Sequence, residues 1–232
     1  MQVTGIPSPA PRQRRHSDLV AEDLLDAALL EFAAHGFEGT STRQIARRAG
    51  WHQPQINYHF TSKEALWQAA VDKLFAELAS TTADLFSGPP SDLAGAFAEG
   101  IRRFVAFSAR RPELFRIMSL ESTADSERLD WIAERHIRPR FEIIRDAWER
   151  LRATGVGAAI DGVTAYQLIV GFGSFPFANS PAVRRLTSLD MSNPAAVSGH
   201  ADALIALLLP VRGDQPGARA RRNEPGSTDR IA

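Results

Sequence analysis

The stretch TSTRQIARRAGWHQPQINYHF, residues 40–60, followed at once by TSKEAL, residues 61–66, decides how this chain is read. It divides into a short helix, a glycine turn and a second short helix, the outline of a helix-turn-helix. Ser41 and Gln44 form a capping box: the serine oxygen accepts an otherwise orphaned backbone N–H, and the glutamine side chain reaches back to the cap. The first helix therefore starts near Thr42. Ile45, Ala46 and Ala49 give it one apolar face, and Gly50 just past its end tolerates the positive φ of a sharp stop. Pro54 opens the second helix, where its missing N–H would have had no partner.

The free face of the second helix sets what it can do. Ile56 and Phe60, four apart, stack on one side and pack inward. Gln55 and Tyr58 point away, with Pro54, Asn57 and His59 on the flanks and Gln53 at the leading end. These side chains hydrogen-bond, and none is a carboxylate. From Gly39 to Lys63 the chain carries Arg43, Arg47, Arg48 and Lys63 and no Asp or Glu, although the whole sequence balances 27 basic against 27 acidic residues. A patch of one sign inside a neutral protein is the electrostatic footprint of a polyanion partner. A polar helix face can also be simply solvated, but here cap, turn, proline, apolar spacing and charge agree.

GFEGTSTRQIARRAGWHQPQINYHFTSKEAL, residues 36–66, resembles the N-terminal signature of the TetR (tetracycline repressor-like) family of bacterial transcriptional regulators. The match runs from about Leu24 to Leu66: a glycine-aromatic turn, a Thr/Ser cap, an Ile-Ala pair, an Ala-Gly turn, Tyr-x-Phe and a Ser-Lys helix start. Departures stand at Trp51 (usually a smaller apolar residue), His52 (usually a Ser or Thr cap), Pro54 and Gln55 (commonly Gly and Thr) and Asn57 (often Tyr). The family's phosphate contact is therefore not carried over to position 52. The resemblance implies a ligand-responsive DNA-binding regulator, a repressor in most cases, acting as a homodimer on a palindromic double-stranded operator. On that basis Arg43, Gln53, Gln55, Asn57 and His59 are expected at base edges, while Ser41, Thr42, Tyr58 and Lys63 hold phosphates.

Outward from this stretch, residues 1–17 are Pro- and Arg-rich and predict a disordered arm. Such an arm reaches into a minor groove or serves only solubility. Asp18 to His35 predicts an amphipathic helix with Leu25, Ala28, Leu29 and Phe32 on one face, ended by Gly36. It completes a three-helix DNA-binding head, residues 18–63. A fourth helix of about 25 residues, beginning at Ser62-Lys63-Glu64, is long enough to join that head to a separate body, and Gly88-Pro89-Pro90 breaks the chain after it. The body, residues 64–211, stays helical with no strand alternation: helices are expected over 93–109, 112–121, 126–136, 139–153, 160–175 and 195–209. Residues 212–232 read as a disordered tail. The fold class is thus all-α, a helix-turn-helix head followed by a helical ligand-binding and dimerisation domain.

Two late helices are apolar on more than one face, with Val163, Leu168, Ile169 and Phe172 in one and Leu204 to Leu209 in the other. Paired across a two-fold axis they make a four-helix bundle, with Gly171 and Gly173 at the seam; alternatively they are simply internal. Phe104, Phe107, Phe115, Met118, Trp131, Phe141, Trp148, Phe172 and Phe175 are candidates to line an apolar chamber for an unidentified small-molecule effector, with Glu121, His136 or Tyr166 as polar anchors. Each also reads as ordinary core or surface.

Other classes of function find little support. The sequence has no cysteine, which removes disulfides, thiolate catalysis and cysteine-bound zinc. It has no Gly-x-Ser-x-Gly elbow and no phosphate-cradling loop, and His52 and His59 have the wrong spacing for a helical zinc pair. No enzyme activity, metal or cofactor is expected. No apolar run of about 18 residues suits a membrane span, and the N-terminal residues lack a signal-peptide centre, so a cytoplasmic protein without membrane contact is expected. The alternative is a helical ligand-binding or interaction protein whose DNA-binding head has degenerated, suggested by Trp51, His52 and Asn57.

Overall fold

The computed structural model describes residues 11–85 and 92–210, and every regular element among them is helical. The order is α1 (Pro11–Gly39), α2 (Thr42–Arg48), α3 (Gln53–His59), α4 (Lys63–Thr82), α5 (Leu93–Arg110), α6 (Glu113–Glu121), α7 (Glu127–Ile132), a π-helical turn (Ala133–Ile137), α8 (Arg138–Ala153), α9 (Gly162–Ala178), α10 (Ser180–Thr187) and α11 (Pro194–Leu208). Expectations for residues 1–10, for Gly88-Pro89-Pro90 and for the tail lie outside the described residues.

The helix-turn-helix forms as its residues dictate. Ser41 caps α2 and Gln44 returns its side chain to the Ser41 N–H at 2.8 Å. Gly50 takes φ 75° and Pro54 lies in the first turn of α3. Within α1 the helical path is interrupted at Gly36 (φ 69°, ψ 176°), the predicted stop. The Thr40 hydroxyl lies 2.8 Å from the Gly36 carbonyl and 3.1 Å from that of Glu31, so it serves carbonyls that the interruption frees.

Several expectations need correction. Helix α1 begins at Pro11, so the backbone of residues 11–17, assigned from sequence to the arm, is helical; proline is compatible with a first turn, and no glycine intervenes before Gly36. Helix α4 is 20 residues long and stops at Thr82. There the hydroxyls of Ser80, Thr81 and Thr82 donate to the carbonyls of Glu77 and Leu78, closing the last turn in place of further N–H groups. The break expected at Arg138-Pro139 is a π turn instead. Proline cannot donate to the carbonyl four residues back, the backbone widens just ahead of it, and the Arg140 side chain donates to the His136 carbonyl at 2.9 Å. Pro176 does not end α9 but lies inside it, and α10 follows in a span expected to be a connection.

Two cores organise the packing. The first joins Leu24, Leu29 and Phe32 of α1, Ile45 of α2, Ile56 of α3 and Leu66, Trp67 and Leu74 of α4 to Phe107 of α5, Ile117 of α6 and Ile132 of α7. The second holds Phe97, Ile101 and Val105 of α5, Trp148 and Leu151 of α8, Ala165 and Ile169 of α9, and Leu204 and Leu208 of α11. Phe104 packs against both. The expectation that three short helices close one small core is therefore incomplete, because α4 and three side chains from the body complete it. So few residues bury too little apolar surface alone.

Candidate nucleic-acid interface

The second helix of the motif turns Ile56 fully inward and leaves Gln53, Asn57 and Tyr58 exposed, Tyr58 at 76%. Gln55 and His59 are half-buried, and the His59 ring meets Tyr58 edge to face at 4.9 Å. Gln53 donates to the Thr42 hydroxyl at 3.4 Å, which ties the start of α3 to the start of α2. Ser41 and Arg43 are exposed and Thr42 half-buried on the same edge. The starts of α2 and α3, which carry Thr42 and Gln53, thus meet at one edge of the head, as helix-turn-helix geometry requires. His52 caps α3 by position but makes no side-chain cap bond, and the turn is held instead by Trp51, whose indole donates to Asp23 of α1 at 3.1 Å.

The basic patch is narrower than the sequence implies. Arg48 is exposed but paired with the buried Glu31 at 2.5 Å. The Lys63 ammonium stands 4.3 Å over the Phe37 ring, which Arg128 of α7 also faces at 4.1 Å. Arg43 and Arg47 remain exposed and make no ion pair among the described residues. Neither partner of Arg48 and Lys63 was visible in the local pattern, since Glu31 is 17 residues from Arg48 and the Phe37 cation pair depends on how α4 leaves the head.

The residues suggested as an effector chamber divide between the two cores and the surface. Phe107 is buried in the first core, where Met118 and Trp131 pack at its edge, and Trp148 is buried in the second with its indole donating to the Ile160 carbonyl. Phe104 lies between the cores, and Phe141 meets Tyr166 edge to face. Phe172 is exposed and stacks on His200 at 4.6 Å. Phe115 and Phe175 form an edge-to-face pair of their own. Glu121 is buried but satisfied by Arg128 at 3.0 Å. Aromatic residues at helical spacing fill whichever core their helix faces, and these helices face two. A depression of about 660 Å³ beside Asp130, Trp131, Glu134 and Arg135 takes in only Trp131 of the set.

Val163, Leu168, Phe172 and Phe175 of α9 and Leu207 of α11 are exposed apolar residues. Gly171 is open, and a Cβ there would meet nothing within 4 Å. Gly173, expected at the same seam, is buried instead: a Cβ there would lie 3.0 Å from the Phe104 ring, so this glycine serves packing within the chain.

A model for the N-terminal region of bacterial regulatory proteins of the tetR family matches residues 24–70, and one for the tetracyclin repressor-like C-terminal domain matches residues 94–208. The chain belongs to the TetR family. Among its relatives is the transcriptional repressor SCO4008 of Streptomyces coelicolor, 29% identical over 63% of this chain and 70% of that protein. The regulator RutR of Escherichia coli is 33% identical over 44% of this chain, which spans only 47% of RutR in that match. In solved structures the fold is shared with AibR, crystallised with isovaleryl coenzyme A and operator DNA: TM-score 0.67 and 15% identity, covering 82% of this chain and 98% of AibR. As a TetR-family member the chain is a DNA-binding transcriptional regulator, and these curated relatives are repressors and regulators rather than enzymes. No helix among the described residues is long and apolar enough to cross a membrane.

Proposed function

We propose that this TetR-family regulator is a ligand-responsive repressor that binds a palindromic operator as a homodimer. The observation that carries it is the outward face of α3, where Gln53, Gln55, Asn57, Tyr58 and His59 surround a buried Ile56 beside exposed Arg43, with no carboxylate from Gly39 to Lys63. Arg43, Gln53, Gln55, Asn57 and His59 read base edges; Ser41, Thr42, Tyr58 and Lys63 hold phosphates. Glutamine and asparagine pair bidentately with adenine, and losing one such pair costs about 1–3 kcal/mol in discrimination. Residues 18–63 serve as the DNA-binding unit and 64–211 as the regulatory and dimerising unit.

Dimerisation through α9 and α11 covers the exposed apolar face and sets two α3 helices about 34 Å apart, one turn of DNA. An effector that favours a body conformation with the heads wrongly spaced lowers DNA affinity, and DNA lowers effector affinity by the same factor. The complex of AibR with isovaleryl coenzyme A places acyl thioesters first among compounds to try. Operator binding sets the protein in the cytoplasm, without a membrane partner, and no catalytic residue is assigned.

The test is selection of bound DNA from a random-sequence library by the full chain at moderate salt. Enrichment of a palindrome that Gln55→Ala relaxes at one base supports the reading. No enriched sequence would leave a non-specific or degenerate head and move the function to the helical body.

A further inference from the structure

A groove of about 430 Å³ opens between the head and the body, walled by Ala33 and Ala34 of α1, Arg116 of α6, Ala178 and Asn179 at the end of α9, and Pro181, Ala182 and Arg185 of α10. It takes in none of the residues assigned above to DNA or effector. Five of its eight lining residues are alanine or proline, its two charges are both guanidinium groups, and no acidic side chain lines it. Arg116 is half-buried and anchored, its Nε donating to the Ala178 carbonyl at 2.9 Å, while its terminal nitrogens have no hydrogen bond among the described residues. Arg185 is held to its own helix by Nη1 on the Pro181 carbonyl at 3.2 Å. Neither arginine has a carboxylate partner among the described residues. Glu31, two residues before Ala33 in α1, is turned to Arg48 and His35.

Two unneutralised guanidiniums around one groove lower the energy of a group carrying two negative charges, and each presents a planar fork that fits carboxylate or phosphate oxygens. The short alanine and proline side chains leave room for a small aliphatic portion beside them. We propose that this groove binds a small organic dianion, a dicarboxylate or a phosphate ester with a short apolar part, and thereby bridges α1 of the head to α6 and α10 of the body. The site is distinct from the chamber suggested by the aromatic residues. Its binding is read on the protein alone, so its failure and the failure of the operator reading are separable.

The test is titration calorimetry of the full chain, without DNA, using succinate, citrate and inorganic pyrophosphate as probes, joined to hydrogen exchange with the best binder. Expected is saturable binding of at least one probe, weakened about tenfold in Arg185→Gln, as loss of a charge-assisted hydrogen bond implies. Arg185 is exposed, so that variant folds; Arg116→Gln gives a second reading from the other wall. Arg184→Gln is the control, since Arg184 neighbours the groove in sequence but does not line it. Bound probe slows amide exchange in both α1 and α6. Equal loss in Arg184→Gln and Arg185→Gln would reduce the effect to general surface charge and overturn the proposal. So would exchange protection confined to α10, or absence of binding by every probe in the dimer.

Discussion

Arg48 of α2 closes on the carboxylate of Glu31 in α1 at 2.5 Å, and Glu31 is only 7% exposed. The pair pins the first helix of the DNA-reading motif to the helix behind it. It also removes one positive charge from the surface that would face DNA. Truncating the arginine strands a buried carboxylate with only His35, 3.6 Å away, as a substitute. Arg48→Ala is expected to cost about 2 kcal/mol and Glu31→Gln about 1 kcal/mol, because half of the arginine remains in water and screens the interaction. Urea denaturation of both variants measures the order, and equal or reversed costs would contradict the assignment.

His136 gives the stability a pH dependence. It lies in the π turn, stacked on Phe75 of α4 at 4.3 Å, with Nε2 2.8 Å from Asp72 but off the line of a hydrogen bond. Asp72 also takes two bonds from Arg135, and Arg140 donates to the carbonyls of His136 and Phe75. Burial pushes the imidazole below its ordinary value, outweighing Asp72, which draws it upward; Arg140 and Arg135 push it further down. The unfolded chain therefore binds the proton more readily. Stability is full above the unfolded value of 6.5, falls as pH drops below it and levels off beneath the folded value. Thermal midpoints from pH 7.5 to 5.5 should decline, with a shallower slope in His136→Gln; parallel slopes would place the titration elsewhere.

Gly171 and Gly173, two residues apart and so on opposite faces of α9, serve two separate roles. Gly173→Ala pushes a methyl group toward the Phe104 ring at 3.0 Å and should destabilise the chain by about 1–2 kcal/mol. Gly171→Ala meets nothing and should leave fold stability unchanged or slightly improved. Gly171→Leu then tests the seam: sedimentation should show a weaker dimer with helicity unaltered, whereas an unchanged dimer would exclude this face of α9.

Lys63 and Arg128 share one aromatic ring but not one function. With the Lys63 ammonium over Phe37, Lys63→Gln should cost about 0.5–1 kcal/mol of stability and also reduce the salt dependence of operator binding by about one ion. Arg128→Gln should weaken the fold alone, through Glu121 and Phe37. Gel shifts across a salt series, beside melting curves, distinguish the two.

What could be read in advance follows the range of each interaction. The capping box at Ser41, the stops at Gly36 and Gly50, the start at Pro54 and the inward turn of Ile56 act over a few residues, and all stand where periodicity put them. The π turn was missed because its cause lies in how α8 packs, and Pro139 signals a break as readily as a widening. Helix α10 was missed because the span between Pro176 and Pro194 reads as one break. The division of the aromatic set was not legible because spacing places a side chain on a face without saying which of two cores that face meets. Arg48 and Lys63 looked like free charges because Glu31 and Phe37 reach them only in three dimensions.

Phe107, Ile117 and Ile132, body side chains that complete the core beneath the helix-turn-helix, bear on how such regulators can be recombined. A designer who transplants residues 18–63 onto another regulator to change its operator carries away a unit with one wall missing. The transplant should aggregate unless the recipient supplies matching volumes at those three positions. Operator choice in this chain is therefore exchanged more safely by rewriting the exposed side chains of α3 in place than by moving the head whole.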